Sequence, residues 1–119
     1  MTTTIQTTTT MTLSFHDDPG HAWLAVPKTL LAKLGIADGI SPYSYQRGGV
    51  AYLEEDCDAP LFTQAARNAG IILKFQEIMH RGDAPCRSFD CYQKPQQPRA
   101  IRQDDFAGLF VAAEGISID

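Results

Sequence analysis

The stretch Tyr43–Asp58, YSYQRGGVAYLEEDCD, constrains the fold more than any other part of the chain. Tyr43 and Tyr45 alternate with Ser44 and Gln46, Arg47-Gly48-Gly49 supplies turn chemistry, and Val50, Ala51, Tyr52 and Leu53 form a second extended run. Two extended runs about a glycine turn predict a β-hairpin. Glu54, Glu55, Asp56 and Asp58 then crowd carboxylates just ahead of a helical pattern. Negative charge is favoured there by the helix dipole and by unpaired backbone N–H groups, with Asp58 as the expected N-cap. A hairpin that runs directly into a helix needs a sheet for the helix to pack on.

The flanking sequence supplies that sheet. Met11, Leu13 and Phe15 alternate with polar residues, the turn formers His16-Asp17-Asp18-Pro19-Gly20 interrupt them, and Ala22–Val26 resumes an extended run with the single tryptophan, Trp23. Pro27 suits a first helical position, and Leu30, Leu31 and Leu34 make one apolar face ending at Gly35, with Ile36 placed to close a Schellman motif. Asp38-Gly39 turns the chain into the hairpin. The second helix carries Pro60 in its first turn, Leu61, Phe62, Ala65, Ala66 and Ala69 on one face, and Gly70 as terminator. Ile71–Met79 reads as a strand, and Cys86–Tyr92 as another, antiparallel to it.

The ends differ in character. Thr-rich residues 1–10 have little to bury and are expected to fray. Lys94–Pro98, KPQQP, closes a compact domain of residues 1–93 and opens a linker. Beyond it, Asp104 and Asp105 begin a helical pattern with Phe106, Leu109, Phe110 and Ala113. Such a tail helix within 94–119 covers the core, covers a second copy through residues 102–113 as a homodimer, or meets a partner. The predicted architecture is an α+β domain with an antiparallel sheet of about five or six strands, two helices on one face and an appended C-terminal helix.

Composition narrows the function classes. A net charge of −4 over 119 residues argues against a broad nucleic-acid footprint and equally against wholesale imitation of DNA. Cys57, Cys86 and Cys91 form an odd set without a CxxC pair, which suits a reducing cytoplasm. No apolar run nears the roughly 20 residues that span a bilayer, and no signal-peptide pattern opens the sequence.

Three constellations bear on chemistry. His16, Asp17 and His21, with Asp18 beside them and Glu54 or Cys57 to complete a set, carry metal-ligand side chains, which makes a small metal-dependent enzyme the alternative reading. Their spacing across Pro19-Gly20 does not place both imidazoles on one face, and an ordinary hairpin turn explains them; the expectation is no metal and no cofactor. Cys57 sits at a helix start, yet the surrounding acids disfavour its thiolate, so no catalytic residue is expected. The third set is Tyr43, Tyr45, Arg47 and Tyr52 with Glu54, Glu55 and Asp56, a tyrosine hairpin beside an acidic corner, with Trp23 as a further aromatic able to line the same sheet face. With only Arg47 near the aromatics, contact with a protein partner is favoured over single-stranded nucleic acid.

Taken in order, FHDDPGHAWLAVP, LGIADGIS and YSYQRGGVAYLEEDCDAPLF resemble a family of small proteins encoded on proteobacterial plasmids, phages and other mobile elements, over roughly Phe15–Tyr92. The sequence from Lys94 onward departs from that pattern. The resemblance carries no activity with it. It implies a cytoplasmic, element-borne accessory protein, for which inhibition of host defence, as by an anti-CRISPR, is the class-level expectation. The function expected from sequence is therefore a non-enzymatic protein-binding factor acting by steric occlusion, its partner a basic surface of a nucleic-acid-handling complex.

Overall fold

A computed structural model describes residues 9–95. The chain runs β1 (Thr9–Asp17), β2 (Ala22–Pro27), α1 (Lys28–Lys33), β3 (Tyr45–Arg47), β4 (Val50–Glu54), α2 (Ala59–Asn68), β5 (Ile71–Met79) and β6 (Asp90–Cys91), with 3-10 turns at Ala37–Gly39 and Pro85–Ser88. The strands form a six-stranded sheet in the order β5-β1-β2-β4-β3-β6. The α+β class and the two helices agree with expectation. The tail helix and the frayed start, expected at 94–119 and 1–10, fall almost wholly outside the described residues.

The sheet is mixed, and this corrects the expected all-antiparallel arrangement. β5 lies parallel to β1, from Thr9 against Ile71 to Asp17 against Met79. The reason is α2: after β4 the helix carries the chain over the sheet, so β5 starts at the end where β4 and β1 also start. A second correction concerns Cys86–Tyr92. Pro85 opens a 3-10 turn there, and only Asp90 and Cys91 extend, pairing with Gln46 and Tyr45 of β3 rather than with β5.

Local signals act largely as the residue types dictate. The α1 helix ends in a full Schellman motif, in which Ile36 N–H bonds Leu31 O, Gly35 N–H bonds Ala32 O, and Gly35 takes φ +73°. Gly48, at φ +60°, makes the two-residue turn of the β3–β4 hairpin. Pro27 ends β2 and flanks α1 instead of entering it.

The sheet separates two apolar groups. On the helix face Leu13, Leu24, Val26, Ala51 and Leu53 meet Leu31 of α1, and Phe62 and Ala66 of α2. Each large side chain buried here contributes about 1.5–3 kcal/mol. On the opposite face Trp23 packs with Ala84 and Cys86, flanked by Tyr45, Tyr52 and Phe89. The segment after β5 folds back to roof part of this second face, and the candidate site lies at its margin.

Candidate binding cleft

Two buried aspartates build the scaffold. Asp18, in the β1–β2 turn, accepts hydrogen bonds from Gly20 and His21 N–H at one oxygen and from Ala84 N–H at the other. Arg87 closes on both oxygens, with Nε at 2.7 Å and Nη2 at 3.0 Å. That bidentate pairing, aided by the backbone donors, holds the Asp18 carboxyl far below the usual carboxylate range despite burial. The Arg87 guanidinium also stacks over Trp23, 4.8 Å from the ring centre. Gly20 permits this, since a Cβ there would lie 2.8 Å from Arg87 Nη2.

Asp58 is the second. It stands at the N-cap position of α2, but its carboxylate does not cap the helix. It accepts instead from Ser41 N–H, Ser41 Oγ–H and Ser44 Oγ–H, and Ser44 Oγ in turn accepts from Glu54 N–H at 2.9 Å. Ser41 and Ser44 compete successfully because their hydroxyls converge on the site, so the capping expectation fails and the residue becomes a tie between the hairpin and the helix.

These ties fix the acidic corner. Glu54 is buried, and its Oε1 accepts from Asp56 and Cys57 N–H, both at 2.8 Å, while Oε2 meets His21 Nδ1 at 3.2 Å. Burial opposes ionisation of Glu54, but the donors from Cys57, Asp56 and His21 outweigh it and leave the carboxyl below its ordinary range. The Cys57 thiol is pushed up by its hydrogen bond to Glu54, by burial and by the field of Glu54, Asp58 and Asp56. It is held as a thiol, as the surrounding acids lead one to expect. Glu55 is also raised, by burial and then by Asp56 and Glu54.

Around this corner lies a cleft of about 410 Å³ lined by His21, Trp23, Tyr43, Tyr45, Glu54, Asp56, Cys57 and Arg87. Of the residues singled out from sequence, it gathers His21, Trp23, Tyr43, Tyr45, Glu54, Asp56 and Cys57. Tyr43 is 71% exposed. Arg47 does not join them, sitting over the Phe89 ring at 4.7 Å in a separate depression. Tyr52 lies inside the second apolar group, edge-on to Phe89 and to His16. Glu55 flanks the cleft without lining it.

The loop proposed for metal comes apart. His16 turns to His80, Nδ1 to Nε2 at 3.0 Å with rings nearly parallel, and burial and then His80 lower its pKa. Among the described residues the trio with ligand atoms within 4.8 Å of one another is His21, Glu54 and Glu55. His16 and Asp17 are not in it, because alternation along β1 and the turn at Pro19-Gly20 send them elsewhere.

Sequence reasoning grouped Trp23 with the tyrosines on one sheet face but missed Arg87 as a cleft residue. Trp23 was visible as the sole tryptophan, and its buried indole N–H has no acceptor among the described residues. Arg87 had no local signal, because its role depends on Asp18, 69 positions away. Comparison with family models, with curated proteins and with solved structures finds no match.

Proposed function

We propose that the protein is a non-catalytic binding module that seats a lysine or arginine side chain of a protein partner in this cleft and acts by steric occlusion. The supporting observation is the make-up of the walls: Trp23, Tyr43 and Tyr45 present aromatic surface beside the Glu54 and Asp56 carboxylates. Arg87 adds no net charge, because Asp18 neutralises it. A cation entering the cleft therefore meets the exposed Tyr43 ring and the negative charge of Asp56 beside Glu54. Catalysis has less support, since Glu54 is occupied by three donors and Cys57 is held protonated. A factor encoded on a mobile element, occluding a basic groove of a host nucleic-acid-handling complex as an anti-CRISPR would, is the form of this reading that sequence resemblance favours.

The test uses four hexapeptides that differ only in a central Arg, Lys, norleucine or Glu, titrated against the emission of the single tryptophan. The Arg and Lys peptides are expected to saturate the signal, norleucine and Glu to leave it unchanged, and Glu55→Lys/Asp56→Lys to abolish the response. Equal behaviour of all four peptides overturns the proposal.

A second reading, dependence on a divalent cation, is favoured by the His21–Glu54–Glu55 trio in place of the His16/Asp17/His21 loop. A 3.2 Å separation of His21 Nδ1 and Glu54 Oε2 suits two ligands of one ion at bonds of about 2.1 Å. Titration of chelator-treated protein with Mn²⁺ and Zn²⁺ decides it. Binding at or below about 1 mM that is lost in both His21→Ala and Glu55→Gln supports this reading, and weaker or variant-insensitive binding removes it.

A further inference from the structure

We infer that two copies of this chain pair along β5, edge to edge and antiparallel, about a two-fold axis through Phe75. The two ends of the sheet are built differently. β6 closes one end with only Asp90 and Cys91, short as exposed edges commonly are. β5 closes the other with nine residues, Ile71–Met79, paired to β1 without a bulge, and among the described residues no strand lies on its outer side. It carries no proline, and alternate N–H and C=O groups point away from β1 along about 30 Å of edge. Ile72, Phe75 and Met79 are each at least half exposed on it. An edge of this length and composition accepts another strand, and the sequence of β5 matches itself.

An axis normal to the sheet keeps the helix face of one copy beside the helix face of the other, which allows only registers centred on a single residue. Centring on Phe75 opposes Phe75 to Phe75, Ile72 to Ile78 and Ile71 to Met79, and sets Lys74 opposite Gln76. Apolar cross-strand pairs of this kind stabilise a sheet junction. Centring on Lys74 instead sets two ammonium groups opposite one another, and centring on Gln76 sets Lys74 against Ile78 and Phe75 against Glu77. The remaining pair of the Phe75 register, Leu73 with Glu77, has a further partner. Leu73 lines a groove of about 430 Å³ with Arg67 of α2, so Glu77 of the second copy arrives beside that guanidinium. Two-fold symmetry makes the contact twice. Within one chain neither Arg67 nor Glu77 forms an ion pair among the described residues. The cleft beside β3 and β4 lies toward the other end of the sheet and stays open in both copies.

Sedimentation equilibrium of the full chain tests this. A junction of one strand pair is at the small end of specific interfaces, so the dissociation constant is expected at about 1–100 μM. At about 300 μM the native chain should have twice the 13.1 kDa mass of one chain. Phe75→Lys, its folding confirmed by circular dichroism, should have the mass of one chain at that concentration. Arg67→Glu and Glu77→Arg should each raise the dissociation constant about tenfold, and the double variant, which restores opposite charges, should return it to within about threefold of native. If Phe75→Lys fails to fold, the charge exchange at these two exposed residues carries the test alone. A native chain that stays monomeric at about 300 μM, an assembly that survives Phe75→Lys, or single charge variants that the double variant does not rescue overturns the inference.

Discussion

Replacing Ser44 with alanine tests how the acidic corner is held together. Ser44 is fully buried, its hydroxyl donates to Asp58, and it accepts the Glu54 N–H. Alanine removes both bonds and supplies no substitute. The buried Glu54 N–H is left unpaired, at a cost of about 1–3 kcal/mol, and Asp58 loses one charge-assisted bond worth about 1.5–3 kcal/mol. Asp58 keeps Ser41 N–H and Oγ–H, so part of the second loss is recovered. The expected destabilisation is about 2–4 kcal/mol, a large share of the 5–15 kcal/mol that holds a domain of this kind together. Ser41→Ala, which removes the bond to Asp58 and an acceptor for the exposed Tyr43 N–H that water can replace, should cost about 1 kcal/mol. Urea unfolding followed by tryptophan emission reads both, with a lower midpoint at unchanged slope. A Ser44→Ala loss below about 0.5 kcal/mol, or one equal to that of Ser41→Ala, would falsify the claim that Ser44 joins Glu54 to Asp58.

Other expectations concern the surroundings of the cleft. Glu55→Lys/Asp56→Lys, made on the outer rim, should leave stability within about 0.5 kcal/mol, as measured by the same unfolding experiment, whereas Glu54→Lys should unfold the corner by stranding the N–H groups of Asp56 and Cys57. Because burial and then His80 lower the pKa of His16, the unfolded chain takes up that proton first as pH falls below about 6.5. Stability contributed by neutral His16 is thus complete above that pH and declines beneath it until the folded imidazole titrates. Melting temperatures between about pH 7 and 5.5 should fall less steeply in His16→Gln, and parallel slopes would exclude His16 as the source. Alkylation at neutral pH should be slower at Cys57 than at glutathione, and slower still at Cys86, which burial and then Asp18 push up to about 11. Faster labelling of Cys57 than of glutathione would contradict the raised pKa that its acidic surroundings impose on the thiol.

The elements of this fold were largely readable because their signals are local. Alternation marked β1 and β5, continuous extended runs marked β2 and β4, and Gly35, Gly48 and Gly70 marked the ends and turn where a positive φ is required. Pairing order was not readable, because nothing within Ile71–Met79 tells whether its neighbour is β1 or the segment after it. Cys86–Tyr92 misled for a similar reason: its alternation is real, but Asp18 takes the Ala84 N–H and Pro85 starts a turn before a strand can form. In the candidate site the sequence placed Tyr43, Tyr45, Glu54 and Asp56 near one another, because a hairpin and its exit do so automatically. His21, Trp23 and Arg87 join them only through the β2–β4 register and the Asp18 clamp. Asp58 shows the limit of a positional rule, since it holds the capping position while its carboxylate serves two serines.

The parallel pairing of β1 with β5 joins residues 62 positions apart, Thr9 with Ile71. During synthesis, β1 and β2 can pair through a short turn as they emerge, and the β3–β4 hairpin can then add to β2 through β4. One edge of β1 must stay open until α2 and all of β5 have followed. At elongation rates of about 5–20 residues per second, that edge waits several seconds after β2 has formed. The first strand made is thus among the last to gain both neighbours, and the interval is when nascent chains of this protein are most exposed to pairing with one another.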